Sequence, residues 1–163
     1  MKKIITLLFV ATFLFTACEG PEGPQGPPGT NIVGETFEYT TSFSAQADFF
    51  EASFNPPLVE GDAMLVYRLE DVVNGADVWE PLPTVTIVNN DTGDTLQYRF
   101  NYTLNDVQII AECSNFAAFG PELLQNQTFR AVIVPSDLIN GIDTSNIHEV
   151  MEAANIKSIQ KLN

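Results

Sequence analysis

The stretch Phe37-Glu38-Tyr39-Thr40-Thr41-Ser42-Phe43-Ser44 decides the fold. Phe37, Tyr39, Thr41 and Phe43 alternate with Glu38, Thr40, Ser42 and Ser44, a period of two rather than 3.6, which predicts a strand with one face in a core. The same period recurs downstream. Phe49 to Phe54 predicts a second strand, stopped by Asn55-Pro56-Pro57, and Ala63 to Leu69 a third. Asn74-Gly75 marks a tight turn towards Val78-Trp79. Thr84 to Val88 and Thr95 to Tyr102 flank Asn89-Asn90-Asp91-Thr92-Gly93-Asp94, a hairpin with a longer loop. Leu104-Asn105 turns the chain into Val107 to Glu112, and Phe129 to Val134 is the last clear strand.

Helix signals are few. Ser145 can cap a short helix in which Ile147, Val150, Met151 and Ala154 form one apolar stripe, with Asn155 suited to its end. That stripe is expected to cover one end or an edge of a sheet. Pro121 to Gln125 predicts one further helical turn. The expected fold class is therefore mainly β: a single antiparallel β-sandwich-like domain over residues 32–163 with a short C-terminal helix, the alternative being a small β-barrel.

The N-terminal segment has a different character. Lys2 and Lys3 precede an apolar run from Ile4 to Phe15, about a dozen residues where a membrane span needs about 20, so residues 1–17 read as a signal peptide. Phe15-Thr16-Ala17-Cys18 resembles the lipobox of bacterial lipoproteins, with Phe15 where Leu is commoner. That resemblance implies cleavage between Ala17 and Cys18 and acyl chains on Cys18. A single chain holds marginally, at about 0.8 kcal/mol per buried methylene, whereas two or three would anchor the protein durably. An ordinary secretory signal with a chance cysteine is the alternative.

Residues 18–31 form a tether. Gly20-Pro21-Glu22, Gly23-Pro24-Gln25 and Gly26-Pro27-Pro28 are collagen-like triplets. Three triplets carry little cooperative stability, so a semi-rigid polyproline spacer is preferred over a trimerising stalk. At about 3.1 Å per residue it reaches on the order of 30 Å.

Leu65-Val66-Tyr67-Arg68-Leu69-Glu70-Asp71, Val78-Trp79-Glu80-Pro81-Leu82-Pro83, Leu96-Gln97-Tyr98-Arg99-Phe100 and Gln127-Thr128-Phe129-Arg130-Ala131-Val132-Ile133-Val134-Pro135 resemble segments of small lipoproteins of Bacteroidota, particularly flavobacteria. The resemblance implies the same order of lipobox, collagen-like stretch and one β-rich domain. It implies an outer-membrane location, facing either the periplasm or the cell surface, and adds nothing on activity.

Charge narrows the partners. Loss of residues 1–17 removes two of seven basic residues and none of 21 acidic ones, leaving a formal charge of −16. Such a chain is a poor nucleic-acid binder and is repelled by anionic membrane surfaces, so the membrane partner is reached through the lipid. With Cys18 lipidated, Cys113 has no partner within the chain and reads as a small buried hydrophobe.

Candidate chemistry is sparse. His148, the one histidine, lies beside the helical stripe without a serine elbow or a metal-spaced partner, so no hydrolytic triad and no zinc site is expected. No cofactor motif is present. Asn89, Asn90, Asp91 and Asp94 around Gly93 offer hard oxygens for calcium, yet lack the spaced acids of an EF-hand and suit an ordinary turn. Trp79, Tyr67, Tyr98 and Tyr102 could build a glycan platform, although the phase of Tyr98 and Tyr102 places them with Leu96 and Phe100 as core. Arg68, Arg99 and Arg130 take the opposite phase from Tyr67, Tyr98 and Phe129, which predicts ion pairs on an exposed sheet face, with a convergent anion site as the alternative. Asp94-Thr95-Leu96 resembles the short O-glycosylation motif of Bacteroidota.

Two functional expectations follow. The first is a membrane-anchored, non-enzymatic lipoprotein displaying a β-domain for binding or envelope structure, with a glycan, calcium or protein as partner. The second is an anchored carboxylate-dependent hydrolase acting on polysaccharide.

Overall fold

The computed structural model describes residues 34–162. The signal peptide, its cleavage position, Cys18 and the Gly/Pro tether lie outside the described residues.

Among the described residues nine strands form two sheets. In chain order they are β1 (Glu35–Thr41), β2 (Phe49–Ser53), β3 (Ala63–Val73), β4 (Ala76–Pro81), β5 (Ile87–Val88), β6 (Thr95–Tyr102), β7 (Asp106–Cys113), β8 (Gln127–Val134) and β9 (Gln160–Leu162). One sheet has the order β4-β3-β8-β1-β9, the other β2-β7-β6-β5. All pairings are antiparallel except β1 with β9. Both sheets keep open edges, so the domain is sandwich-like and not a closed barrel.

The alternating stretch behaves as its period demands. Tyr39 and Phe43 are buried, and Phe43, Tyr98 and Phe129 meet between the sheets with ring centroids 5.4 to 5.9 Å apart. Edge-to-face contacts of this kind add to simple burial of the rings. Leu96, Val107, Ile109 and Ala131 complete this inner core. The Asn74-Gly75 turn joins β3 to β4 with both residues at positive φ, 53° and 82°, the conformation a two-residue hairpin turn requires.

The short helices are α1 (Pro121–Leu124) and α2 (Ile147–Ala153). Asn146, not Ser145, caps α2, its side chain accepting from the His148 N–H. Ile147, Val150 and Ala154 are buried, but against Tyr67, Val132 and Val134 on the outer face of the five-stranded sheet. The helix thus covers a sheet face, where an end or an edge was expected. That placement gives the sheet two buried faces.

Three boundaries differ from the sequence reading. β5 is reduced to Ile87 and Val88, because Thr84 leaves the strand to bond Tyr98 through its backbone N–H and its hydroxyl. β3 continues past Leu69 to Val73 through a register shift. β9 extends the sheet beyond β8, the last strand legible by alternation; its three residues are too short to show a period.

Candidate binding cleft

The described residues enclose a cleft of about 400 Å³ at the open side of the sandwich, where β1 faces β2. Its floor follows directly from the period of β1. Phe37 and Tyr39 project between the sheets, Phe37 lying 6.4 Å from Phe54 and Tyr39 lying 5.3 Å from Phe50, centroid to centroid. The segment after β2 forms the opposite wall with Phe54, Pro56, Pro57 and Leu58. Phe54 donates its backbone N–H to Asn105, Leu58 to Leu104 and Asp62 to Val59, so backbone bonds hold the wall in place.

The cleft is apolar inside and acidic at its mouth. Among the described residues Glu35 and Asp62 are its charged lining residues, and no Lys, Arg or His lines it. Tyr39 is 3% exposed, and burial pushes its hydroxyl up to about 12, so it stays protonated as a neutral donor. Such a cavity, apolar with a few polar groups, has the composition of a ligand site.

The predicted calcium loop is occupied with its own turn. Asn89 Oδ1 accepts from the backbone N–H groups of Asp91 and Thr92, and its amide nitrogen donates to the Ala118 carbonyl at 2.7 Å. Asp94 accepts from the Ser114 hydroxyl at 2.9 Å. Hydrogen bonds from Thr92, Ser114 and Asn115 hold its carboxyl below the ordinary value. Among the described residues no cluster of three or more His, Cys, Asp or Glu could hold a metal ion.

The aromatic platform is not assembled. Tyr98 lies in the inner core, where burial pushes its hydroxyl up to about 12, and it donates to the Leu123 carbonyl. Tyr67 lies under α2 and donates to the Thr144 carbonyl at 2.6 Å. Trp79 packs in the same outer layer, while Tyr102 is 41% exposed at the end of β6.

The three arginines do not converge, and two of them correct the exposed-face expectation. Arg68 is buried on the inner face, where Gln127 Oε1 accepts from its Nε and Nη2 at 2.9 and 2.7 Å and its guanidinium sits 5.2 Å from the Tyr98 ring centroid. Arg130 is buried on the outer face beside Glu38 and Trp79. Only Arg99 forms an exposed pair, with Glu112 at 2.8 Å. Strand phase separates the two faces of a sheet but does not say which is wet. Here both faces of the five-stranded sheet are covered.

Cys113 is a half-buried free thiol whose burial pushes its pKa up, away from thiolate chemistry. His148 is exposed on α2. The cleft residues Glu35, Asp62, Leu58 and Pro56 were not singled out by sequence. They belong to separate segments, brought together by the pairing of β1 and β3 with β8 and by the packing of β2 and its following segment over β1. No protein-family model, curated protein or solved structure matches this chain.

Proposed function

We propose that the chain is an exported lipoprotein held in the outer membrane by acyl chains on Cys18, and that its β-domain is a non-enzymatic binding module whose ligand site is the β1–β2 cleft. The observation that carries the binding assignment is the composition of the cleft, an apolar interior with an acidic mouth. The lipobox-like Phe15-Thr16-Ala17-Cys18 and the likeness to small Bacteroidota lipoproteins support the anchor. Its strongly acidic surface fits a partner other than nucleic acid.

Antibody labelling of intact and permeabilised cells, for wild type and Cys18→Ser, tests the anchor. Labelling of intact cells that vanishes with the cysteine places the domain at the surface. Labelling only after permeabilisation places it in the periplasm, and an unchanged Cys18→Ser pattern overturns the lipoprotein assignment.

One observation favours the second reading, an anchored hydrolase of polysaccharide: Glu35 and Asp62 line the same cleft. A general acid at neutral pH needs a raised carboxyl pKa. Turnover of a polysaccharide panel that disappears in Glu35→Gln and Asp62→Asn would establish the hydrolase in place of the binding module.

A further inference from the structure

The two sheets are unequal, five strands against four. β1 lies over β2, as the Tyr39–Phe50 and Phe37–Phe54 contacts require, so β9, which pairs with the outer edge of β1, has no strand opposite it among the described residues. The cleft opens into the Ser53 end of that gap. Gln160 of β9 lines it from one side, and Ser53 with Phe54 at the end of β2 from the other.

Among the described residues β2 is paired only to β7, and its other edge is turned towards the gap. The register identifies which backbone groups are free. Ala111 donates to the Asp48 carbonyl and Phe54 donates to the Asn105 carbonyl, at 2.8 and 2.6 Å. Bonded and non-bonded positions alternate along an antiparallel pair, so Phe50 and Ala52 bond to Ile109 and Val107, while Phe49, Glu51 and Ser53 turn their N–H and C=O groups outward. Exposed edges of folded domains are commonly blunted by Lys or Pro. The residues of β2, Phe-Phe-Glu-Ala-Ser, include neither.

We propose that the cleft takes an extended, basic peptide segment of a partner protein, which adds to β2 as a fifth strand of the smaller sheet. This rests on the cleft being the ligand site. In strand addition, backbone bonds supply affinity and alternate side chains supply selectivity. The incoming backbone bonds Phe49, Glu51 and Ser53. At the Ser53 end every second side chain enters the cleft over Phe37, Tyr39, Phe54 and Leu58, and must be apolar. A Lys or Arg at its flank meets Glu35 and Asp62.

Charge selects the occupant. The mouth carries two carboxylates and no cation, and the chain without residues 1–17 has five basic residues against 21 acidic ones. A second copy would bring its own acidic surface to an acidic mouth. A basic segment is steered in by the same field. The strand alone offers about 17 Å of edge, so a segment of five or six residues suffices.

Selection of random displayed peptides, about ten residues long, on the full folded domain tests this. The expected winners alternate apolar residues and carry Lys or Arg. Synthetic versions should bind with micromolar affinity and shift the amide resonances of Phe49, Glu51 and Ser53. Ser53→Pro removes an outward N–H, a position where an edge strand accommodates proline, and should abolish binding while leaving the circular dichroism unchanged. Glu35→Lys with Asp62→Lys should weaken binding by roughly tenfold or more, independently of Ser53→Pro.

Absence of any enriched peptide, or enrichment of acidic or proline-broken ones, overturns the strand-addition proposal. Peptides sensitive to the two lysine substitutions but indifferent to Ser53→Pro would also overturn it, while leaving the cleft as the ligand site. Peptides indifferent to all three substitutions would overturn both.

Discussion

Arg130 donates from Nη2 to Glu38 Oε2 at 2.8 Å, directly across the β8–β1 register and largely shielded from water, with side chains 9% and 12% exposed. The pair belongs to a larger arrangement. Lys161 lies 2.9 Å from the other Glu38 oxygen, and the Trp79 ring stacks 4.0 Å below the Arg130 guanidinium. Arg130 Nε and Trp79 Nε1 are buried with no hydrogen-bond partner among the described residues, so beyond its Nη2 bond to Glu38 the cation is held by charge and by the ring face.

Removing the cation alone should therefore be costly. Arg130→Met leaves a shielded carboxylate with only the exposed Lys161 as partner, and is expected to destabilise the domain by about 3 kcal/mol in urea denaturation. The double variant Arg130→Met with Glu38→Gln should lose less than the sum of the two single variants, because neither partner is then left charged and alone. Trp79 is the one tryptophan, so its fluorescence should change with Arg130→Met and report the loss of the stacked cation. Additive single-variant effects would mean that the pair is not coupled.

The same pair sets an acid limit. Burial pushes the Glu38 carboxyl up, but hydrogen bonds from Arg130 and Lys161, together with their charges, outweigh it and hold the pKa below its ordinary 4.5. A depressed folded pKa contributes stability that is present above 4.5 and lost as pH falls through the lower folded value. Melting temperature should thus fall below about pH 4.5 more steeply in wild type than in Glu38→Gln. Parallel acid limbs for the two proteins would show that Glu38 does not carry this linkage.

The loop after β5 should be indifferent to calcium. Asn89 uses its carbonyl oxygen to close the turn over Asp91 and Thr92 and its amide to hold Ala118, so it is a structural residue. Melting temperature is expected to be the same in chelator and in millimolar calcium. Asn89→Ala should instead cost about 1–2 kcal/mol in either condition, since it strips three hydrogen bonds from the hairpin. A calcium-dependent rise in melting temperature that disappears in Asn89→Ala would restore the metal site.

The inner core was legible because its signal is local. β1 and β6 alternate cleanly, and Tyr39, Phe43, Leu96 and Tyr98 are buried as their phase requires. Arg68 and Arg130 were misread because sequence phase cannot reveal that α2 closes the second face of the sheet. Nor could it show that Gln127, opposite Thr41 on the neighbouring strand, would satisfy an arginine inside the sandwich. The cleft was illegible for a related reason. Glu35 lies at the start of a strand and Asp62 just before another, two positions where acidic residues look like ordinary solvated punctuation. Their juxtaposition is a product of pairing, and the lack of a strand opposite β9 among the described residues is a property of two sheets counted together.

Gly34, just before β1, shows how tightly α2 is held to the sheet. Its N–H donates to the Ala154 carbonyl at 2.9 Å. A Cβ placed there would lie 2.6 Å from the Ile133 carbonyl oxygen and 2.8 Å from the Ala154 Cβ. The first is backbone in the centre of the sheet, so the strain must be relieved at Ala154, which ends the helix on the covered face. Gly34→Ala is therefore expected to destabilise the domain by about 1–3 kcal/mol. Hydrogen exchange should localise the effect, with faster exchange at Val150 and Ala154 and little change at Leu96 or Ile109 in the smaller sheet. Equal acceleration in both places would mean that α2 and the sandwich unfold as one unit, and no loss of stability would mean that the contact between β1 and the end of α2 is looser than these distances imply.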